Sequence, residues 1–268
     1  MNFDIEKSLT YLFKEANWKK KALIGSLVML GLTMLNVMST LCQYAQNLKP
    51  EQLSQYTQLL IAAVILIIIL APICVIATTV ADGYYLKTFN QKIFKPTEPS
   101  PDWTNWLDLF VTGFKSAFAS FIYMCLFLLT TIIASLILTY TIKNSGSAAL
   151  PTLIFIVWEI VSIIIISIIL IAGRIAFATN LKFSSYFDYE FIGKILFNDF
   201  LKFFIYALLV SAIGVTISII CGILELTIVG IIFAPFLYFY QNMVQVDIGS
   251  QFARMIYKMD NQENTDNQ

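Results

Sequence analysis

Histidine is absent from this chain of 268 residues. Its absence excludes every mechanism that needs an imidazole base or ligand, including serine–histidine hydrolysis and HExxH metalloproteolysis. Cysteine is scarce, and the four present show no CxxC spacing: Cys42, Cys74, Cys125 and Cys221. Each lies in an apolar run, so we expect buried small side chains, with a disulfide or metal site as the remote alternative. No cofactor is predicted.

Charge is also scarce, because only 13% of the residues are charged and 58% are hydrophobic. Ordinary soluble domains are about 25% charged. Together with a mean hydropathy of +0.76, this composition excludes a single soluble domain and predicts a polytopic membrane protein. The 17 basic residues are balanced by 17 acidic ones. A nucleic-acid partner is therefore not expected, since binding phosphates needs a basic face.

Six runs are long and apolar enough to cross a bilayer, which needs about 20 residues per helix. They cover residues 22–44, 58–81, 115–142, 150–171, 200–220 and 223–240. The predicted fold is all-α, with six transmembrane helices in three hairpins and the last hairpin turning near Cys221 and Gly222. We expect one transmembrane domain over residues 1–260, followed by a polar, disordered tail at 261–268.

The basic residues predict the orientation of these spans. If the N-terminus is cytoplasmic, every Lys and Arg except Lys49 and Lys143 lies on the cytoplasmic side. Positive charge marks cytoplasmic loops. Both termini and the two longer connections, residues 82–114 and 172–199, are therefore predicted to be cytoplasmic.

Amphipathic stretches precede the first, third and fifth spans, at about residues 3–17, 103–114 and 186–198. Apolar residues recur in each at helical spacing, which is typical of helices that lie in the membrane interface. The predicted interfacial anchors are Trp18, Trp103, Trp106 and Lys115. Each stretch also ends in a Leu-Phe pair followed by a basic residue. A threefold repeat and a shared preference for interfacial anchors both explain that phrase.

A few polar residues lie inside the predicted spans, where they are costly and therefore candidates for function. Glu159 lies about 14 Å along its helix from residue 150, near the bilayer midplane. Ser162 shares its face, and Asn36 is an amide in the first span. Glu159 fits two roles: a protonatable coupling site of a transporter, or a hydrogen-bonded group that locks helices together. The structural role is the favoured one.

Small residues recur every four positions in the fifth span, at Gly214, Ser218 and Gly222. Such a stripe permits close approach of two helix backbones. Packing within the chain is the favoured interpretation because the next hairpin is tight. Packing between two copies of the chain is the alternative.

Residues 101–115, PDWTNWLDLFVTGFK, resemble an element of the domain-of-unknown-function 4013 family of bacterial and archaeal membrane proteins. Residues 83–86, GYYL, resemble the phrase that precedes this element in the family. Ser100 departs from the pattern, which has a leucine there. The resemblance implies a six-helix protein of a prokaryotic cytoplasmic membrane. It brings no catalytic or binding residues.

Two functions fit these observations. The first is a non-enzymatic membrane scaffold or accessory protein that acts through the lipid bilayer, a membrane-protein partner or another copy of itself. The alternative is a small-solute or lipid transporter with a midmembrane site near Glu159. A membrane enzyme ranks lowest, because the sequence has no clustered acids, metal ligands or nucleophile–base pair.

Overall fold

A computed structural model describes residues 3–15, 17–46, 50–145 and 147–266. Inside its helices, the side chains of residues 32, 35–42, 44–46, 50–60, 62–63, 145, 228 and 257–266 lie outside this description. The predicted residue Asn36 belongs to that set.

The described residues form helices and no strand, which confirms the all-α prediction. In chain order the helices are α1 (Ile5–Lys14), α2 (Trp18–Gln46), α3 (Pro50–Phe94), α4 (Trp106–Ser145), α5 (Ala149–Asn180), α6 (Tyr189–Phe197), α7 (Phe200–Leu224) and α8 (Ile228–Asp266). A 3₁₀ turn, Phe183–Phe187, precedes α6.

Five stretches of the described helices are long and apolar enough to cross a membrane: Val64–Phe94, Trp106–Asn144, Ala149–Asn180, Phe200–Leu224 and Val229–Ile256. They correspond to the second through sixth predicted spans. The first predicted span, residues 22–44, lies within α2, but many of its side chains fall outside the described set. The chain is therefore a membrane protein with several apolar helices.

The chain divides into two compact units where the sequence predicts one domain. One consists of Met1–Phe114 with Leu201–Gln268, and the other of Lys115–Phe200. In the first unit α2, α3 and α8 pack against one another and α1 packs on α8. In the second, the 3₁₀ turn and α6 pack on α5 around the buried side chains of Phe177, Tyr186 and Ile195.

Two of the three stretches predicted to be interfacial helices are separate helices, and one is not. The first is a separate helix, α1, because Asp4 caps its start by accepting from the Lys7 amide at 2.9 Å and Asn17 takes a left-handed φ of 61° just after it. The third is α6, capped in the same way by Asp188. The second is not a separate helix, since α4 runs without a break from Trp106 into its apolar part. A change of amphipathic pattern does not by itself end a helix.

The turn between α7 and α8 lies later than predicted. Helix α7 passes through Cys221 and Gly222 and ends at Leu224. The hydroxyl of Thr227 then accepts a hydrogen bond from the amide of Gly230 at 2.9 Å. This bond caps the first turn of α8, where the backbone amides have no partner within the helix. Helix α8 continues to Asp266, into the stretch that the sequence predicts to be a disordered tail.

Two glycines allow α3 and α4 to cross with their backbones in contact. A Cβ atom on Gly83 would lie 1.8 Å from the carbonyl oxygen of Leu109. One on Gly113 would lie 1.9 Å from the carbonyl oxygen of Thr79. Both distances are far inside van der Waals contact, so neither position accommodates a side chain without moving a backbone. Gly83 and Gly113 belong to the two phrases that carry the family resemblance.

We expect Gly83→Ala to lower the stability of the protein by about 3 kcal/mol, the upper end of the cost of overpacking, because the new methyl group meets a rigid carbonyl. The thermal unfolding midpoint in detergent measures this change. Gly222→Ala is the matched control, since a Cβ there meets nothing within 4 Å and alanine favours a helix. Equal midpoints for the two variants would contradict the close crossing.

Candidate functional site

Five polar side chains are buried together where α1, α2, α3 and the segment after α3 meet. We call this group the polar cluster: Tyr11, Glu15, Lys21, Lys92 and Ser100. The side chains of its three charged members are each at most 5% exposed. Charges are buried to this extent only when they are paired and hydrogen-bonded.

The carboxylate of Glu15 is the centre of the polar cluster. One oxygen, Oε2, accepts from Lys21 Nζ at 2.9 Å. The other, Oε1, accepts from the Ser100 amide at 2.8 Å and from the Ser100 hydroxyl at 2.6 Å. Lys92 Nζ lies 3.6 Å from the same oxygen. Both oxygens therefore have donors.

The two lysines are held by further acceptors. Lys21 Nζ donates to the Ser100 carbonyl at 2.5 Å, and Lys92 Nζ donates to the Glu98 carbonyl at the same distance. Lys92 Nζ also lies 4.6 Å from the centre of the Tyr11 ring, within range of a cation–π interaction. Each ammonium group thus joins the segment after α3 to Glu15.

The pKa values of Glu15 and Tyr11 depart from their ordinary range. Burial acts to raise the pKa of Glu15, but hydrogen bonds from Ser100, Tyr11 and Lys21 outweigh it and lower that pKa. Burial and the charge of Glu15 raise the pKa of Tyr11. At neutral pH Glu15 is therefore a carboxylate and Tyr11 a neutral phenol.

A second set of hydrogen bonds joins α1 to α8. The Ser8 hydroxyl donates to the Asp247 carboxylate at 2.6 Å, and Gln251 Nε2 donates to the same carboxylate at 3.0 Å. The Asp4 amide donates to Gln251 Oε1 at 2.9 Å. Ser8, Asp247 and Gln251 are buried. We call these three residues the α1 clamp, because they fix the buried side of α1 to α8.

The family phrases meet in an aromatic stack beside the glycine crossing. The rings of Tyr84 and Trp103 are parallel within 5° at a centroid distance of 4.0 Å, and Phe239 lies 6.3 Å from each. Trp103 is only 7% exposed. Its ring packs against Tyr84 of α3 before α4 begins, and its role as a headgroup anchor stays a prediction.

The other predicted anchors lie nearer the surface. Trp106 is 47% exposed at the start of α4. Trp18 is half-buried, with its ring 5.2 Å from that of Phe13. Lys115 is half-buried in α4. Their interfacial position remains a prediction.

Glu159 contacts α4 rather than a second charge. Thr131 donates its hydroxyl to Glu159 Oε2 at 3.2 Å, while Oε1 is buried without a hydrogen-bond partner in the described structure. Ser162, one turn further along α5, is half-buried. The side chain of Asn36 lies outside the described residues, so its grouping with these two stays a prediction.

The stripe of small residues does not pack closely against another helix along its whole length. A Cβ on Gly214 would lie 3.4 Å from the Nε2 atoms of Gln241 and Gln245, and one on Gly222 would meet nothing within 4 Å. Ser218 is exposed. Gly222 lies off the contact between α7 and α8, which at this level is made by Ile217, Cys221 and Ala234, so its role in close packing stays a prediction.

The polar cluster was not predicted from the sequence. Its members are spread from residue 11 to residue 100, outside the six predicted spans. Tyr11 in α1 and Glu15, directly after that helix, are four residues apart and lie away from the exposed apolar residues, and this spacing is the one available signal. It predicts a shared face but not which cation meets Glu15.

Residues 65–226 match a family described as protein of unknown function (DUF4013). The chain belongs to this family. The match confirms the resemblance seen in the glycine and tryptophan phrases, and it extends from α3 to the turn between α7 and α8. Lys92 and Ser100 lie within the DUF4013 match, whereas Tyr11, Glu15 and Lys21 precede it. No curated protein and no solved structure matches the chain.

We expect Glu15→Gln to destabilise the first unit by about 3–5 kcal/mol at neutral pH, because it leaves two buried ammonium groups without their anion. Chemical unfolding in detergent measures the loss. Glu6→Gln, on the exposed side of the same helix, is the matched control and should change stability by less than about 0.5 kcal/mol.

The difference in stability between the wild type and Glu15→Gln should decrease as the pH falls. Since the folded pKa of Glu15 is lowered, its stabilisation is fully present above the ordinary glutamate pKa of about 4.3. It is lost as the pH falls further, through the folded pKa. A difference that persists under more acidic conditions would contradict an ionic role.

Proposed function

We propose that this chain is a non-enzymatic scaffold or accessory protein of the cytoplasmic membrane of a bacterium or archaeon. It crosses the membrane six times in three hairpins, with α2 as the first span and both termini in the cytoplasm. Its first unit holds α1 in the interface, where the helix meets lipid and any membrane-protein partner.

The distribution of side chains around α1 carries this proposal. One side of the helix is buried in the protein and includes Ser8 and Leu12. A second side presents Ile5, Leu9 and Phe13, which are 39–46% exposed. A third side is polar and exposed. A helix with one buried side, one exposed apolar side and one exposed polar side fits the position where protein, hydrocarbon and water meet.

The lysines at the start of α2 support the same position. Lys19 and Lys20 are exposed, next to the half-buried Trp18, and are available to anionic headgroups. Lys21 is buried against Glu15 and belongs to the protein interior. Three successive lysines thus have two roles, and only the first two lie at the surface.

The Glu15 carboxylate already accepts hydrogen bonds at both oxygens, which supports a structural rather than a chemical role for the polar cluster. A general base needs an acceptor within reach of a substrate proton. Both oxygens of Glu15 already accept from Lys21 or Ser100 within 2.9 Å. The cluster therefore serves to fix α1, α2, α3 and the segment after α3 in one arrangement.

Spin labels on α1 test the interfacial position. In a chain whose cysteines are replaced, we expect a nitroxide at Leu9→Cys to be more accessible to dissolved oxygen, which concentrates in hydrocarbon, than to an aqueous nickel complex. The matched control, Lys7→Cys on the polar side, should show the opposite order. The same aqueous accessibility at both positions in lipid vesicles would overturn the proposal for α1.

The transporter remains the second candidate, favoured by one region of the second unit. A groove of about 540 Å³ lies between α4 and α5 and is lined by apolar side chains that include Ile137, Ile154 and Trp158. Its volume is within the range of ligand pockets, roughly 300–1,000 Å³. Thr130 and Trp158, two of its lining residues, adjoin Thr131 and Glu159 in the sequence.

Glu159→Gln separates the two candidates. Under the scaffold proposal it lowers the amount of folded protein, because a group that locks α4 to α5 is altered, and it has no separate effect on solute movement. A transporter would instead lose proton- or ion-coupled uptake while its folded level stayed unchanged. Solute uptake into cells, measured together with the amount of folded protein for each variant, distinguishes these outcomes. Ser167→Ala serves as the control, because Ser167 is exposed on the same helix and its hydroxyl bonds to the Ile163 carbonyl of that helix at 2.7 Å.

A further inference from the structure

The first turns of α2 have one buried face and one exposed face. Ala22 and Gly25 lie on the buried face, and a Cβ on Gly25 would lie 2.2 Å from the ring of Phe239 in α8. Residues spaced by four lie on the same face of a helix. Leu23 and Leu27 therefore share the opposite face, where they are 63% and 61% exposed. Large apolar side chains thus point away from the first unit.

Two exposed lysines lie one turn before this apolar face. Lys19 precedes Leu23 by four residues and Lys20 precedes it by three, so both lysines lie on the face or at its edge. Leu23 is about 6 Å from Lys19 along the helix axis, and Leu27 is about 12 Å from it. A change from charged to apolar side chains over this distance is typical of a helix that enters a membrane at headgroup level.

The ammonium groups of Lys19 and Lys20 have no carboxylate partner in the part of the chain that the structure describes. Its ion pairs involve four other lysines: Lys21, Lys87, Lys92 and Lys95. Lys19 Nζ lies 6.0 Å from the centre of the Trp18 ring, at the outer limit of a cation–π interaction. The nearby Glu15 carboxylate already pairs with Lys21. Two positive charges are therefore available to an anion from outside the chain.

We propose that this face of α2 binds one anionic phospholipid. The lipid phosphate lies against Lys19 and Lys20, and one acyl chain lies along Leu23 and Leu27. A soluble anion or an acidic peptide would satisfy the charges but not the apolar side chains that continue from them on the same helix. The inference deepens the proposed function and rests on it, because the start of α2 must lie with α1 at the cytoplasmic interface.

Contact quenching in lipid vesicles tests this site. In a chain whose cysteines are replaced, a fluorophore attached through Leu23→Cys reports which lipid lies beside it. The vesicles are phosphatidylcholine with a small fraction of brominated lipid, either phosphatidylglycerol or phosphatidylcholine. We expect phosphatidylglycerol to bind beside the label about twenty-five-fold more tightly, or about fivefold for each lysine. A label attached through Ile68→Cys, at a 66% exposed position of α3, should show no preference.

Lys19→Gln and Lys20→Gln should each lower the preference for phosphatidylglycerol about fivefold. Lys7→Gln is the matched control, because Lys7 is exposed near the start of α1, at the end of that helix away from α2. It should keep the wild-type preference. Thermal midpoints show whether each variant folds, and one lysine variant decides if the other does not.

Equal quenching of the Leu23 label by the two lipids in the wild type would overturn the proposal, and so would equal preferences in Lys7→Gln and Lys20→Gln. A label that neither lipid quenches also overturns it, because another part of the chain would then cover this face. Loss of the preference in inorganic phosphate, but not in chloride at the same ionic strength, would indicate a soluble anion instead. Failure of the proposed function is separate, since the nitroxide at Leu9→Cys detects it.

Discussion

The burial of the Glu15 carboxylate is the constraint on which the first unit depends. Removing an ion from water costs several kcal/mol even after the protein relaxes, and attraction to a counter-ion offsets this only with good geometry and further hydrogen bonds. Lys21 and Ser100 provide that geometry, from α2 and from the segment after α3. Since Glu15 follows α1 directly, moving any one of these elements alone would expose a buried charge to water or separate it from its partner.

Because these contacts hold α1 in place, the helix can expose apolar side chains on its outer side. An amphipathic helix ordinarily buries its apolar face against the protein, whereas α1 is fixed to α8 by Ser8, Asp247 and Gln251. Its attachment to α8 is therefore polar, with Leu12 buried on the same side of the helix, while Ile5, Leu9 and Phe13 stay exposed. In water this arrangement would be unfavourable. Beside a bilayer it is consistent, because the same apolar side chains then leave water by entering lipid.

The sequence predicts the apolar helices well because hydrophobic length is a local property that the bilayer imposes on each span separately. The polar cluster is different, since it depends on which of many hydrophilic residues meet after folding. Nothing in the positions of Glu15 and Lys92 indicates that they lie 3.6 Å apart. Trp103 shows the same limit, because its place in a pattern suggested an interface while its contacts with Tyr84 put it inside.

The family match covers one part of the first unit entirely and another only in part. The glycine crossing and the stack of Tyr84 on Trp103 lie wholly within the matched residues 65–226. The polar cluster extends outside them, and Ser100 stands where the family resemblance has a leucine. A leucine there keeps the backbone amide that donates to Glu15 but loses the hydroxyl. The crossing therefore requires glycine at fixed positions within the match, whereas the cluster also depends on Tyr11, Glu15 and Lys21, which the match does not include.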